Sequence, residues 1–167
     1  MKIFYGSAIQ GTRSRDERVH INRSLINVIR DGGYELVSEH TGGGSYDETA
    51  TLLEESIGPL PPVGDKRTIY VRNKMIESVE GDICAAVFEV SVPSLGTGIE
   101  IAHAYLRPRM GLPQIPVLVM YEKYFWPNNL SSMIRGITSE SVPQLQYIEY
   151  KDLKEAEDYL RKFLRKL

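Results

Sequence analysis

Cysteine is nearly absent. Cys84 is the only one in 167 residues, so neither a disulfide framework nor a cysteine metal site is available. Its setting inside an apolar run marks a small core residue. Histidine is scarce as well, and the three present, His20, His40 and His103, are too scattered to build a zinc site. No sign of charge dominates: 20 Lys and Arg against 22 Asp and Glu leave a net charge of −2, which argues against a nucleic-acid-binding surface spread over the whole chain. No run reaches the roughly 18 apolar residues that would span a bilayer. The opening Met1-Lys2-Ile3-Phe4-Tyr5 reads as a strand and lacks the long apolar stretch of a signal peptide, so a cytoplasmic location is expected. Internal repeats and low-complexity tracts are also missing. What is there is ordinary for a globular protein, 42% hydrophobic and 25% charged, and the length suits one domain, residues 1–167, with a sizeable core.

The most informative stretch runs from Ile83 to Leu106. Ile83 to Val90 is apolar and rich in β-branched residues, as a buried central strand requires. Pro93 and Gly96 punctuate it, and an apolar helical pattern begins at Ile99 and continues through Ala104. A strand passing through a Ser/Gly turn into a helix is where open α/β sheets hold ligands, and the free N–H groups of such a turn suit a phosphate. Glu100 is expected in the first helical turn, facing that crevice. A plainer reading competes with it: Thr97-x-x-Glu100 has the spacing of a capping box, in which both side chains satisfy N–H groups at a helix start. Gly96-x-Gly98 alone is a weak phosphate signature.

Along the rest of the chain, Lys2 to Tyr5 is followed by Gly6-Ser7 and a polar loop carrying Gln10, Gly11, Arg13 and Arg15. Val19, Leu25, Ile26 and Ile29 predict a first helix that Gly32-Gly33 stops, and Leu36-Val37-Ser38 a short second strand. Thr49 to Ile57 is a possible short helix, followed by an irregular Gly58-Pro59-Leu60-Pro61-Pro62. Thr68 to Val79 resumes helical periodicity. Val117 to Tyr121 reads as another buried strand, then an aromatic loop with Phe125 and Trp126, a final strand from Gln146 to Tyr150, and an amphipathic helix capped by Asp152. Alternating strands and helices in this order predict an α/β fold, a flavodoxin-like or Rossmann-type three-layer sandwich on a five-stranded parallel sheet. Its first and third strand ends, at Ser7 and Ser94, would meet at the switch point.

Three pieces in this order and spacing, Gly6-Ser7 with Gly11 and Arg13, Pro93-Ser94-Leu95-Gly96-x-Gly98-x-Glu100, and Ser131-x-Met133-Ile134-Arg135-Gly136, resemble a known family. They are similar to the 2′-deoxynucleoside 5′-monophosphate N-hydrolases of the nucleoside 2-deoxyribosyltransferase superfamily, from residue 2 to about residue 150. The resemblance implies Glu100 as the nucleophile at C1′ of the sugar, displacing the base as a glycosidase carboxylate does. It implies 5′-phosphate contacts from Ser7, Ser94 and Gly96, with Gly11 and Gly98 in the same two turns. Ile9 falls on an apolar contact to the base. Ser131, with Met133 beside it, matches a serine that reaches the phosphate in the neighbouring subunit, which implies a homodimer with shared sites. A nucleoside 5′-monophosphate is the implied small-molecule partner, with no nucleic-acid polymer, no metal and no organic cofactor.

Three positions depart from the family. Its aspartate falls on Asn73, after Arg72; an amide cannot shuttle a proton as a carboxylic acid can, but it can hydrogen-bond a sugar hydroxyl or position the nucleophile. Its tyrosine on the first strand falls on Ile3, with Tyr5 two residues along on the same face as a possible replacement. Its first-loop arginine falls on Gln10, so Arg13 would have to meet the phosphate. His40 reads either as a structural loop residue or as a border of the sugar or base pocket. His103 is expected to pack, and Phe125 and Trp126 to bury the loop or a subunit contact rather than stack a base. Glu77 and Glu89 read as second carboxylates or, more simply, as surface or supporting groups. Two other functions stay open here, a deoxyribosyltransferase that needs an acceptor base and a nucleotide-binding protein without catalysis.

Overall fold

The computed structural model describes residues 1–9, 15–125 and 130–167. Five strands, β1 (Lys2–Ser7), β2 (Glu35–Leu36), β3 (Ala85–Glu89), β4 (Val117–Glu122) and β5 (Leu145–Tyr150), form one sheet in the order β2-β1-β3-β4-β5. Every pairing is parallel. The helices are α1 (Arg15–Asp31), α2 (Tyr46–Ile57), α3 (Asp65–Glu80), α4 (Leu95–Tyr105), the single turn α5 (Ser132–Arg135) and α6 (Leu153–Leu164). This is the three-layer α/β architecture expected from the alternation of strands and helices.

Period-2 alternation in β1 divides the core into two apolar layers. Ile3 and Tyr5 join Leu25 and Ile29 of α1 and Leu160 and Phe163 of α6 on one face. Phe4 joins Phe88, Val79 of α3 and Ile101 and Ala104 of α4 on the other. All five residues of β3 are buried, as a strand flanked by helix layers on both sides must be. Asp152 caps α6 through the Glu155 N–H at 2.8 Å, and the exposed Arg161 and Lys162 lie at its C-terminal end.

Several boundaries differ from expectation because polar caps start helices earlier than the apolar pattern does. α2 begins at Tyr46 rather than Thr49: Ser45 accepts the Glu48 N–H at 3.1 Å, and the Glu48 carboxylate accepts the Gly44 N–H at 2.8 Å. β2 is shorter than predicted, ending at Leu36, although the Val37 N–H still donates to the Ile3 carbonyl at 3.2 Å. Beyond it a buried 3₁₀ turn, His40–Gly42, packs against α1.

Candidate active site

The chain leaves β1 toward the α1 layer and leaves β3 toward the α4 layer, so a crevice opens where these two neighbouring strands end. That divergence is the switch point at which open parallel sheets bind ligands. The register pairs Gly6 with Phe88 and Ser7 with Glu89 at its floor.

Ser94, not Thr97, caps α4: its Oγ accepts the Thr97 N–H at 3.2 Å, and its carbonyl accepts the Gly98 N–H at 3.1 Å. The capping-box reading of Thr97 and Glu100 is therefore corrected. Apolar periodicity missed the first turn because Gly96 and Gly98 occupy it. Glu100 consequently stands in the second turn, one turn deeper than expected. The helix start leaves the Leu95 and Gly96 N–H groups pointing out of its end, and both residues are exposed.

Glu100 leans over the end of β1. A methyl group added to Gly6 would lie 3.0 Å from the Glu100 Oε2 and 2.7 Å from the Phe88 ring, so glycine is what lets the carboxyl come so near the strand. Burial alone pushes the Glu100 carboxyl up to about 7. Among the described residues it makes no hydrogen bond and no ion pair. A half-buried carboxyl without a partner is costly as mere structure and characteristic of a reactive site.

Asn73 is exposed on α3, with its Oδ1 accepting from Arg72 Nη1 at 3.1 Å. α3 and α4 both run antiparallel to the strands, so they are parallel to one another. His103 Nδ1 lies 2.6 Å from Glu80 Oε1, which sets their register. Seven residues before Glu80 stands Asn73, and seven before His103 stands Gly96. Asn73 is thus level with the start of α4, about one helical turn above Glu100.

Other expected residues lie elsewhere. Tyr5 is fully buried on the α1 face, opposite Gly6 and Glu100, and its hydroxyl donates to Asn22 Oδ1 at 2.8 Å. Burial first, and then the nearby Glu89 charge, hold its phenol well above the ordinary value, so it remains a protonated donor. The structure does not bring this hydroxyl to Glu100. Ser7 is buried at the end of β1, and its Oγ has no hydrogen-bond partner among the described residues. Ile9 follows it, half-buried. Gln10, Gly11, Arg13 and Trp126 lie outside the described residues. His40 is buried with Nδ1 3.3 Å from Ser38 Oγ, and burial lowers its pKa to about 4. Ser131 caps α5, and it and Met133 are exposed. They lie across a cavity of about 710 Å³ from the other flank of α4, where Ser94, Thr97, Ile101 and Tyr105 also line it; Glu100 does not. Glu77 pairs with Lys74 at the surface. Among the described residues no group of three His, Cys, Asp or Glu side chains is placed to hold a metal ion.

Sequence reasoning did not find Arg18, which is buried against Glu89 at 2.7 Å and lies 4.5 Å from the centre of the Phe125 ring. The available signal was Glu89 itself, an acid in a strand that is otherwise apolar and thus in need of a partner.

Fold and crevice together define a Rossmann-like α/β protein whose candidate site is a half-buried carboxyl beside a helix N-terminus. No protein-family model matches the chain. A Thermofilum pendens protein named "Putative 2′-deoxynucleoside 5′-phosphate N-hydrolase 1" is 31% identical over 165 residues, covering 98% of this chain and 95% of that protein. Proteins of the same name from Methanosarcina barkeri and Methanococcoides burtonii are each 26% identical, over 92% and 83% of this chain and 80% and 92% of their own lengths. The chain belongs to the 2′-deoxynucleoside 5′-phosphate N-hydrolase family.

Proposed function

We propose that this protein is an N-glycosidase that hydrolyses the base–sugar bond of a nucleoside 5′-monophosphate through Glu100. The observation that carries the reading is the Glu100 carboxyl, held over Gly6 beside the start of α4, raised by burial and without a hydrogen-bond or ion-pair partner among the described residues. The names of the relatives support the substrate class.

In the proposed reaction the Glu100 carboxylate attacks C1′, the C1′–N bond breaks, and the base leaves with the bonding pair and collects a proton. Water then attacks C1′ of the glycosyl ester, returning the carboxylate and releasing the sugar 5-phosphate. Ser94 and the Leu95 and Gly96 N–H groups hold the 5′-phosphate, joined by Ser7 and, from the first loop, Arg13. Asn73, level with Gly96, hydrogen-bonds the sugar; Ile9 meets the base. The active form is a homodimer. Leu95, Ile99 and Met133 are exposed apolar side chains around the α4–α5 cavity, a surface suited to a second copy; the family resemblance is what gives Ser131 to the phosphate of the neighbouring subunit.

The test is a panel of deoxy- and ribonucleoside 5′-monophosphates, with free base followed chromatographically, with and without a second base. Base release without an acceptor is expected, falling at least about a thousandfold in Glu100→Gln. Release that requires the acceptor would make the protein a transferase. Binding without any release would leave a nucleotide-binding protein.

A further inference from the structure

Beneath the crevice, on the face away from Glu100, lies a buried charged cluster that the reaction above does not use. Glu89, at the end of β3, is 2% exposed and Arg18 5%. The Glu89 Oε1 accepts from Arg18 Nη2 at 2.7 Å, from the Tyr150 hydroxyl at 2.9 Å, and from the Ser91 N–H at 3.2 Å, and the Ser91 hydroxyl also donates to it. Arg18 Nη2 donates to the Tyr150 oxygen at 2.7 Å, and Nη1 pairs with Glu122. The Ser91 Oγ in turn accepts the Glu122 N–H at 2.7 Å. One guanidinium and two carboxylates thus clamp α1, the ends of β3, β4 and β5, and Ser91.

Burying the Arg18 and Glu89 charges is a poor way to gain stability, because apolar side chains of the same volume commonly do as well or better. Such a cluster is better suited to fixing one geometry, and here the segment it fixes is specific. Ser91 is held by both its N–H and its hydroxyl, and three residues later the chain reaches Ser94, the cap of α4. We infer that Glu89 and Arg18 are positioning residues: they lock Ser91, and through it the 91–94 turn, in the conformation that presents Ser94 and the start of α4 to the substrate phosphate. The inference rests on the phosphate site proposed above. Neither side chain touches the substrate.

The experiment compares wild type, Glu89→Gln and, should that variant fail to fold, Tyr150→Phe, which removes one donor to the same oxygen. Two readouts are taken: amide hydrogen exchange by mass spectrometry over peptides spanning residues 91–98, and KM and kcat for a nucleoside 5′-monophosphate beside its phosphate-free nucleoside. Exchange over 91–98 is expected to rise about tenfold while β1 and β4 keep wild-type protection. KM for the monophosphate is expected to rise about tenfold, with kcat and the nucleoside KM changed less than about threefold. Unchanged exchange over 91–98 overturns the inference whatever the kinetics, since the cluster then serves only the fold. Faster exchange with an unchanged monophosphate KM overturns it too. A wild type that turns over nothing refutes the proposed function instead, and exchange alone then decides for the turn.

Discussion

At the scale of single residues, two ionisable groups shifted by burial act in opposite directions. The Glu100 carboxyl, raised by burial to about 7, binds its proton more tightly folded than unfolded. The stability it contributes is full below the ordinary carboxyl pKa of about 4.3 and is lost as pH rises through about 7. Glu100→Gln should therefore stabilise the protein at pH 8, by up to about 3 kcal/mol, in denaturant titrations. In the proposed reaction the same ionisation generates the nucleophile, so kcat/KM should rise with pH through about 7. His40 runs the other way. Burial lowers it to about 4, so its contribution is present above about 6.5 and lost as pH falls toward 4. His40→Gln should flatten the loss of stability between those values, and an unchanged acid limb would refute it. Gly6 belongs at this scale as well. Gly6→Ala places a carbon 2.7–2.8 Å from the Phe88 ring and 3.0 Å from Glu100, and the Phe88 ring is backed by Phe4 at 5.7 Å between centroids. The expected cost is about 1–3 kcal/mol of stability, together with roughly a hundredfold loss of kcat as the carboxyl is displaced.

At the scale of elements, the register of α3 against α4 decides what Asn73 can do. Asn73 is open to solvent, and in the proposed site its amide would hydrogen-bond the sugar but could not act as a general acid toward the departing base. Asn73→Asp should raise kcat most for the bases that leave least readily, as measured across the monophosphate panel; equal rates throughout would remove Asn73 from the reaction. The strands and the long helices were legible in the sequence because their periodicity is set by burial, as in the uninterrupted run of β3. The start of α4 was not. Gly96 and Gly98 carry no apolar signal, while Ser94 caps through a single hydroxyl that a pattern of apolar residues does not register. Glu100 was found from its motif, but its close approach to the end of β1 depends on Gly6, which lies far off in sequence and contributes only by lacking a side chain. Arg18 was missed for a related reason: its partners come from three strand ends that only the folded sheet assembles. Tyr5 shows the reverse failure. Its position on β1 was correctly placed on the face of Ile3, but that face turns its hydroxyl to Asn22, away from the carboxyl.

At the scale of the whole molecule, the proposed site divides between two copies of the chain, and this can be tested without a structure of the dimer. Ser131 lines the α4–α5 cavity of its own chain with Ser94, and Glu100 does not line that cavity. If Ser131 serves the partner's phosphate, each complete site takes Glu100 from one chain and Ser131 from the other. Glu100→Gln and Ser131→Ala are then each defective as homodimers, yet a heterodimer of the two contains one site made of both wild-type residues and one made of both altered ones. Random reassociation after mixing forms heterodimers in half of the pairs, so about one quarter of wild-type activity should return. Met133→Lys, which sets a charge in the exposed apolar patch, should shift sedimentation toward the monomer and lower monophosphate affinity together. Complementation distinguishes a shared site from two self-contained ones. With Ser131 acting in its own subunit, every mixed dimer carries one defect in each chain, and mixing restores nothing.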